Sequence, residues 1–134
     1  MNIWKIGSRW GDDGNTENVF DLFQKYNIAF VYDCNIKTKE VSLGDLFAIS
    51  NGYKIVSIGK VETKATPINE FKISALDVFN TDKCTIGFRV KIIDLYEKDI
   101  IIYGRRGRFH KLHNNVRDRI IQLWEQRETM KKVQ

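Results

Sequence analysis

Residues 44–61 read GDLFAISNGYKIVSIGKV, with an apolar run on either side of Asn51-Gly52. Asn and Gly tolerate the positive φ that a type I′ turn needs at both central positions, so the stretch predicts a β-hairpin. Gly44 and Gly59 lie near its outer ends, where a barrel needs a bend or a close approach between backbones. We therefore expect this hairpin to form the spine of a small β-barrel.

The flanking segments predict further strands and two main helices. Alternating or continuous apolar residues predict strands at Asn2–Ile6, Ile28–Tyr32, Thr85–Tyr96 and Ile100–Tyr103. Helical periodicity with polar capping residues predicts helices at Thr16–Tyr26 and at about 115–131, and a short helical turn from Ser74 to Phe79. The predicted fold class is α+β, with a mixed or antiparallel β-barrel of about six strands decorated by two to three helices.

Length and composition fit one globular domain spanning residues 1–134. Apolar residues make up 43% of the 134-residue chain, which is enough for a core of its own. The apolar runs are too short to cross a bilayer, so no membrane partner is expected. The amino terminus has no basic segment followed by an apolar stretch, and a cytoplasmic location is therefore expected.

Positive charge is concentrated in the last third of the chain. Residues 83–134 hold 13 Lys and Arg against 6 Asp and Glu, a net charge of +7, whereas residues 1–82 have a net charge of −2. Such an excess indicates a polyanionic partner, DNA or RNA, or else a solvated basic face that keeps the protein in solution.

One basic segment interleaves arginines with rings. Its basic residues are Arg105, Arg106, Arg108 and Lys111, and its rings belong to Tyr103, Phe109 and His110. Arginine forks bind phosphate and nearby rings can stack on bases, so these four basic residues are the predicted phosphate contacts. The alternative is an exposed edge strand that its charge protects from aggregation.

A second candidate site is a base pocket near the first loop. Trp10 lies in a polar, glycine-rich loop, which is an unusual place for a core residue. An extruded base needs a ring to stack on and polar groups along its edge. The predicted pocket consists of Ser8, Arg9, Trp10, Asp12, Tyr32 and Asp33. The alternative is that the Trp10 ring packs over the end of the barrel and the Tyr32 ring closes a layer of the core. Trp4 is expected to be a core residue.

Several of these motifs resemble the PUA-like superfamily, and EVE-type domains in particular. The resemblance rests on the aromatic Trp4 in strand one, on Gly44-Asp45 before a strand, and on Ile58-Gly59-Lys60-Val61 at the end of the next. It covers residues 2–70 in motif and the remainder in element order. It implies a pseudo-barrel that binds nucleic acid, related to the reading modules of modification-dependent restriction proteins.

The resemblance also implies where a base, often a modified one, would bind. Ser8, Arg9 and Trp10 match the loop after strand one, and Tyr32 and Asp33 match the end of the short strand. The chain departs from EVE-type domains in that loop, where residues 7–10 read Gly-Ser-Arg-Trp in place of Lys-Ser-Glu-Pro.

The predicted function is therefore a non-catalytic nucleic-acid-binding module. One alternative is a small toxin-type ribonuclease that uses His110 or His113, and another is a protein-interaction module that docks through Trp124 on the last helix. The histidines, Cys34 and Cys84 lack the spacing of a zinc site, so neither a metal nor a cofactor is expected.

Overall fold

The computed structural model describes residues 1–10, 17–32, 37–80, 84–104 and 109–133. Its strands are β1 (Ile3–Gly7), β2 (Arg9–Trp10), β3 (Glu17–Asn18), β4 (Ile28–Tyr32), β5 (Leu46–Asn51), β6 (Lys54–Val61), β7 (Thr66–Pro67), β8 (Thr85–Asp94), β9 (Ile101–Ile102) and β10 (Phe109–Lys111). Its helices are α1 (Phe20–Tyr26) and α2 (Asn114–Val133), with short 3₁₀ helices at Lys37–Glu40, Ile68–Phe71, Ser74–Phe79 and Glu97–Asp99.

The main sheet is mixed and curls into a half-barrel of about six strands, ordered β10-β1-β5-β6-β8-β4. β1 runs parallel to β5, and the other neighbours in this order are antiparallel. β7 and β9 add short pairings to β8 and β6, and β2 and β3 pair with each other. The predicted α+β class is confirmed, and in place of a full barrel the mixed sheet forms a half-barrel.

β5 and β6 form the predicted hairpin, but its turn lies one residue later than expected. Asn51 ends β5 and pairs with Lys54, so the loop consists of Gly52 and Tyr53. Gly52 has a φ of 68°, whereas Asn51 and Tyr53 have negative φ. These signs fit a type II′ turn, in which Gly takes the first central position. The predicted type I′ turn at Asn51-Gly52 is therefore wrong.

The register of the two strands explains this difference. Ala48 pairs with Ile58, and both side chains are buried in the same core. If this register continued without a break, Gly52 would pair with Lys54. The loop would then consist of Tyr53 alone, which is too short for a hairpin. A β-bulge between Ile49 and Ser50 shifts the register by one residue, and the loop gains a second member. Packing of the strands thus takes precedence over the turn preference of Asn-Gly.

The sheet buries apolar side chains on both of its faces. On the inner face of the curl, one core gathers Trp4, Ile6, Phe47 and Ile49 with side chains from α1, β4, β8 and β10. On the other face, a second core gathers Ile3, Leu46, Ala48 and Ile58 beneath α2. Because alternate residues of β1 and β5 enter different cores, both strands are largely apolar, and Lys5 and Ser50 are the buried polar residues among them.

The two glycines at the outer ends of the hairpin behave as the sequence predicts. Gly44 has a φ of 88°, a conformation that side chains rarely adopt. A Cβ at Gly59 would lie 3.2 Å from the Val90 Cβ, a tighter contact than Cβ atoms usually make, so β6 and β8 approach each other closely at this position. The first glycine therefore provides a bend and the second a close approach.

The two predicted helices form, but the first is shorter than expected. α1 begins at Phe20 rather than Thr16, because residues 17–18 pair with β2 instead. The Asn18 side chain accepts a hydrogen bond from the Phe20 amide at 3.0 Å, which fixes the entry into the helix. α2 confirms the predicted last helix, and Trp124 is buried against the sheet as part of its apolar stripe.

Candidate functional site

The Asp45 carboxylate is the polar centre of one end of the sheet. It accepts hydrogen bonds from the Trp4 indole Nε1 at 3.1 Å, from the Asn2 amide at 3.1 Å and from the Ser42 amide at 2.9 Å. Asp45 is only 3% exposed. The Gly44-Asp45 motif is therefore structural here, since it anchors the start of β1 and orients the Trp4 ring. The prediction that Trp4 belongs to the core is confirmed.

A chain of four rings begins at Trp4 and crosses the inner core. Trp4 stacks on Phe109, with centroids 5.0 Å apart and planes 2° from parallel. Phe47 lies edge-on to Phe109 at 6.0 Å and to Phe88 at 5.1 Å. The Lys111 ammonium lies 5.3 Å from the centroid of the Trp4 ring, so a cation covers the surface end of this chain. Lys111, a predicted phosphate contact, is half-buried at the end of β10.

Tyr103 and His110 contact each other on either side of the arginine-rich segment. The Tyr103 hydroxyl and the His110 Nε2 are 2.8 Å apart, and the two rings stack with centroids 5.7 Å apart. The Tyr103 amide also donates to the Tyr53 carbonyl at 2.7 Å, which ties this pair to the hairpin turn. Arg105, Arg106 and Arg108 lie outside the described residues.

Lys5 pairs with His110 across β1 and β10, so the two side chains lie on the same face of the sheet. Lys5 is 6% exposed, and burial lowers the pKa of its ammonium below the ordinary value. Folding therefore favours the neutral amine, and this contribution to stability rises with pH between the lowered pKa and the ordinary value of 10.5. The His110 imidazole and an amine with a lowered pKa thus lie on the same face of the sheet.

Of the predicted base-pocket residues, Ser8 has a structural role in the sheet. Ser8 is fully buried, and its hydroxyl donates to the Ser50 carbonyl at 2.8 Å. The Ser8 carbonyl accepts from the Val19 amide at 2.7 Å, which connects the end of β1 to the entry of α1. Ser8 thus holds the sheet together with both its backbone and its side chain.

The other predicted pocket residues are described in part. Arg9 and Trp10 form β2, opposite Asn18 and Glu17, and the positions of their side chains are outside the described part of the chain. Asp12 and Asp33 also lie outside the described residues. Tyr32 is half-buried at the end of β4 and packs against the inner core.

The register separates Ser8 from Tyr32 along the sheet. Gly7 pairs with Ser50, next to the hairpin turn, so Ser8 follows at that end. Tyr32 pairs with Thr85 at the start of β8. The other end of β8 lies nearer the hairpin turn, because Asp94 pairs with Ser57 of β6. Ser8 and Tyr32 are therefore attached to different ends of the strands.

Two features were not predicted from the sequence. A groove of about 640 Å³ is lined by Thr38, Lys39, Val41, Ser42, Leu43, Lys64 and Ala65. A polar cluster joins α1 to the sheet, because Asp94 Oδ1 accepts from the Ser57 hydroxyl at 2.7 Å and from Gln24 Nε2 at 2.8 Å. The groove and the polar cluster are each formed by segments that are distant in the sequence. For the groove, the sequence shows a pair of lysines next to small polar residues, which does not by itself indicate a binding site.

Among the described residues, no three His, Cys, Asp or Glu side chains come together as a metal site would require. Within the same parts of the chain, no helix combines the length and apolar character needed to span a membrane. Comparison with models of known protein families finds no match, and comparison with curated proteins finds none either.

Proposed function

We propose that the chain binds nucleic acid as a PUA-like, EVE-type domain without catalysing a reaction. The half-barrel would present an aromatic pocket to one base, modified or unmodified, and the basic segment would contact phosphates. The observation that carries the proposal is the stacked pair of Tyr103 and His110, because it adds two rings to the segment that holds Arg105, Arg106 and Arg108. The net charge of +7 over residues 83–134 supports a polyanionic partner.

The pocket half of the proposal rests on Trp10. β2 and β3 form a two-stranded ribbon next to the end of β1, and Trp10 ends β2. Ser8 would position this ribbon through its contacts with Ser50 and Val19 rather than read the base. Stacking on a single ring is worth about 1–3 kcal/mol per base.

A binding panel tests the proposal directly. Purified protein would be titrated into fluorescein-labelled single- and double-stranded DNA and RNA, with and without modified bases, at two salt concentrations. We expect binding that weakens as salt rises, since neutralised phosphates release counterions. The absence of binding to all probes at low salt would refute the proposal.

Replacing Trp10 by alanine should weaken nucleic-acid binding about fivefold to 150-fold, which corresponds to the loss of one stacked base. The measurement is fluorescence anisotropy on the best probe from the panel. Thermal melting of the variant serves as the control for folding. A variant that melts well below the wild type but binds with full affinity when folded would place the ring in the core and contradict the pocket.

A ribonuclease is the second candidate, and one contact favours His110 over His113 as its acid or base. His110 Nε2 is 2.8 Å from the Tyr103 hydroxyl and lies on the same face as Lys5, whereas His113 is exposed just before α2. The RNA probes would be analysed on a denaturing gel. Cleavage that is lost in His110→Ala and retained in the matched variant His113→Ala would replace the binding proposal by the enzymatic one.

The third class, docking through the last helix, has less support. Ile120, Leu123 and Trp124 are 0%, 3% and 6% exposed, because α2 packs this stripe on the sheet. The helix therefore does not present its apolar face to a partner.

A further inference from the structure

The interface between α2 and the sheet changes from apolar to basic near the end of the helix. Along one side of α2, Trp124 is followed by Arg127 and Lys131, at helical spacings of three and four residues. On the sheet, Ile58 pairs with Ile93 beneath α2, and the next pair on the same face is Lys60 with Lys91. Both sides of the interface thus turn basic at the same place.

Three lysines meet at this place, and we call them the lysine cluster: Lys60, Lys91 and Lys131. Lys60 and Lys91 are exposed and directly opposite each other, an arrangement in which like charges repel. The ammonium of Lys131 lies beside that of Lys91, and this neighbour lowers the Lys131 pKa. The cluster therefore concentrates positive charge from β6, β8 and α2.

In the described part of the chain, one carboxylate forms a salt bridge with the cluster. Glu128 Oε1 is 3.9 Å from Lys131 Nζ, one turn away on the same helix. Among the described residues, neither Lys60 nor Lys91 forms a salt bridge with a carboxylate. The Asp94 carboxylate, although nearby on β8, is bound to Ser57 and Gln24 on the opposite face.

A purely structural role accounts for only part of the cluster. Lysines in the last turn of a helix interact favourably with its dipole, which explains Lys131. Arg127 also has an internal role, because its guanidinium donates to the Asp94 carbonyl and lies 4.2 Å from the centroid of the Tyr96 ring. Neither argument applies to Lys60 and Lys91, which lie on the sheet.

We propose that the lysine cluster is a second phosphate-binding surface, which contacts the backbone of the nucleic acid away from the arginine-rich segment. This inference rests on the proposed function. β8 lies four strands from β10, the strand that follows the arginine-rich segment, which is about 19 Å along the sheet at the usual strand spacing. Three exposed ammonium groups without an enclosing wall suit successive phosphates of a polymer, which they would bind as point charges without reading sequence.

The test compares two double variants that remove the same charge. Lys91→Gln with Lys131→Gln removes two of the three charges of the cluster, whereas Lys72→Gln with Lys98→Gln neutralises two exposed lysines outside it. Affinity for the best probe would be measured over a range of salt concentrations. We expect the plot of log affinity against log salt to become shallower by about two for the cluster variant and by less than about 0.5 for the control.

The outcomes separate this inference from the proposed function. If the wild type binds nucleic acid and both double variants have equal salt slopes, the lysine cluster is not a contact and the proposed function stands. If the wild type binds no probe at low salt, the proposed function fails and the inference fails with it.

A second measurement tests the repulsion itself. Lys91→Gln alone should raise the melting temperature of the unbound protein by roughly 1–5 °C at low salt, because it removes a like-charge pair. The gain should shrink in 1 M salt, where charges are screened within about 3 Å. A variant that melts below the wild type at low salt would contradict the charge argument.

Discussion

Asp45→Ala is expected to lower the free energy of unfolding by about 3–4 kcal/mol, since it leaves three hydrogen-bond donors without their acceptor. These donors are the Trp4 indole and the amides of Asn2 and Ser42. The indole is buried, and the two amides are partly buried, so water replaces the carboxylate only in part. Urea denaturation followed by tryptophan fluorescence and by circular dichroism would measure the change.

Asp118→Ala is the matched control for this prediction. Asp118 is a surface carboxylate whose contact with Arg117 is 3.4 Å long, and its loss should change stability by no more than about 0.5 kcal/mol. If Asp45→Ala were no more destabilising than Asp118→Ala, the three hydrogen bonds would not hold the start of β1 in place.

Phe47→Ala is expected to destabilise the protein by about 3–5 kcal/mol, because it leaves a cavity in the middle of the ring chain. Phe47 is fully buried and lies edge-on to both Phe88 and Phe109. Its removal would break the ring contacts that connect β8 and β10 through the inner core. The same denaturation experiment would measure the loss.

Two further variants identify the source of that loss. Phe47→Leu keeps much of the buried volume and should recover more than half of the stability. Tyr53→Ala removes a ring that is 58% exposed in the hairpin turn and should change stability far less. A Leu variant as unstable as the Ala variant would show that ring geometry, rather than volume, dominates at this position.

The hairpin shows how far the sequence predicts this fold. Apolar runs on both sides of Asn51-Gly52 were enough to predict two paired strands, because the positions of apolar residues along a strand indicate which side chains are buried. The turn depended on the bulge between Ile49 and Ser50, which follows from how distant strands pack and has no local signal. For the same reason the start of α1 was predicted too early, since residues 17–18 pair with β2.

The candidate sites depended even more on long-range pairing. Ser8 appeared as a loop residue because glycines flank its segment, yet its hydroxyl completes the sheet at Ser50. The contact between Tyr103 and His110 is consistent with the interleaved rings of the basic segment. By contrast, Lys60 and Lys91 come together only through the register of β6 and β8, which no spacing in the sequence reveals.

The buried Lys5 has a consequence for how the chain is made. Within the described parts of the chain, β1 pairs with β5 and β10, both of which follow it in the sequence, so β1 is synthesised before either partner. At about 5–20 residues per second, β5 is complete about 2–9 s after β1, and β10 is complete about 5–20 s after β1. A wholly apolar strand of that kind would be prone to aggregate during the delay. The charge of Lys5 interrupts the apolar run of β1, and we therefore expect Lys5 to protect the nascent strand from aggregation.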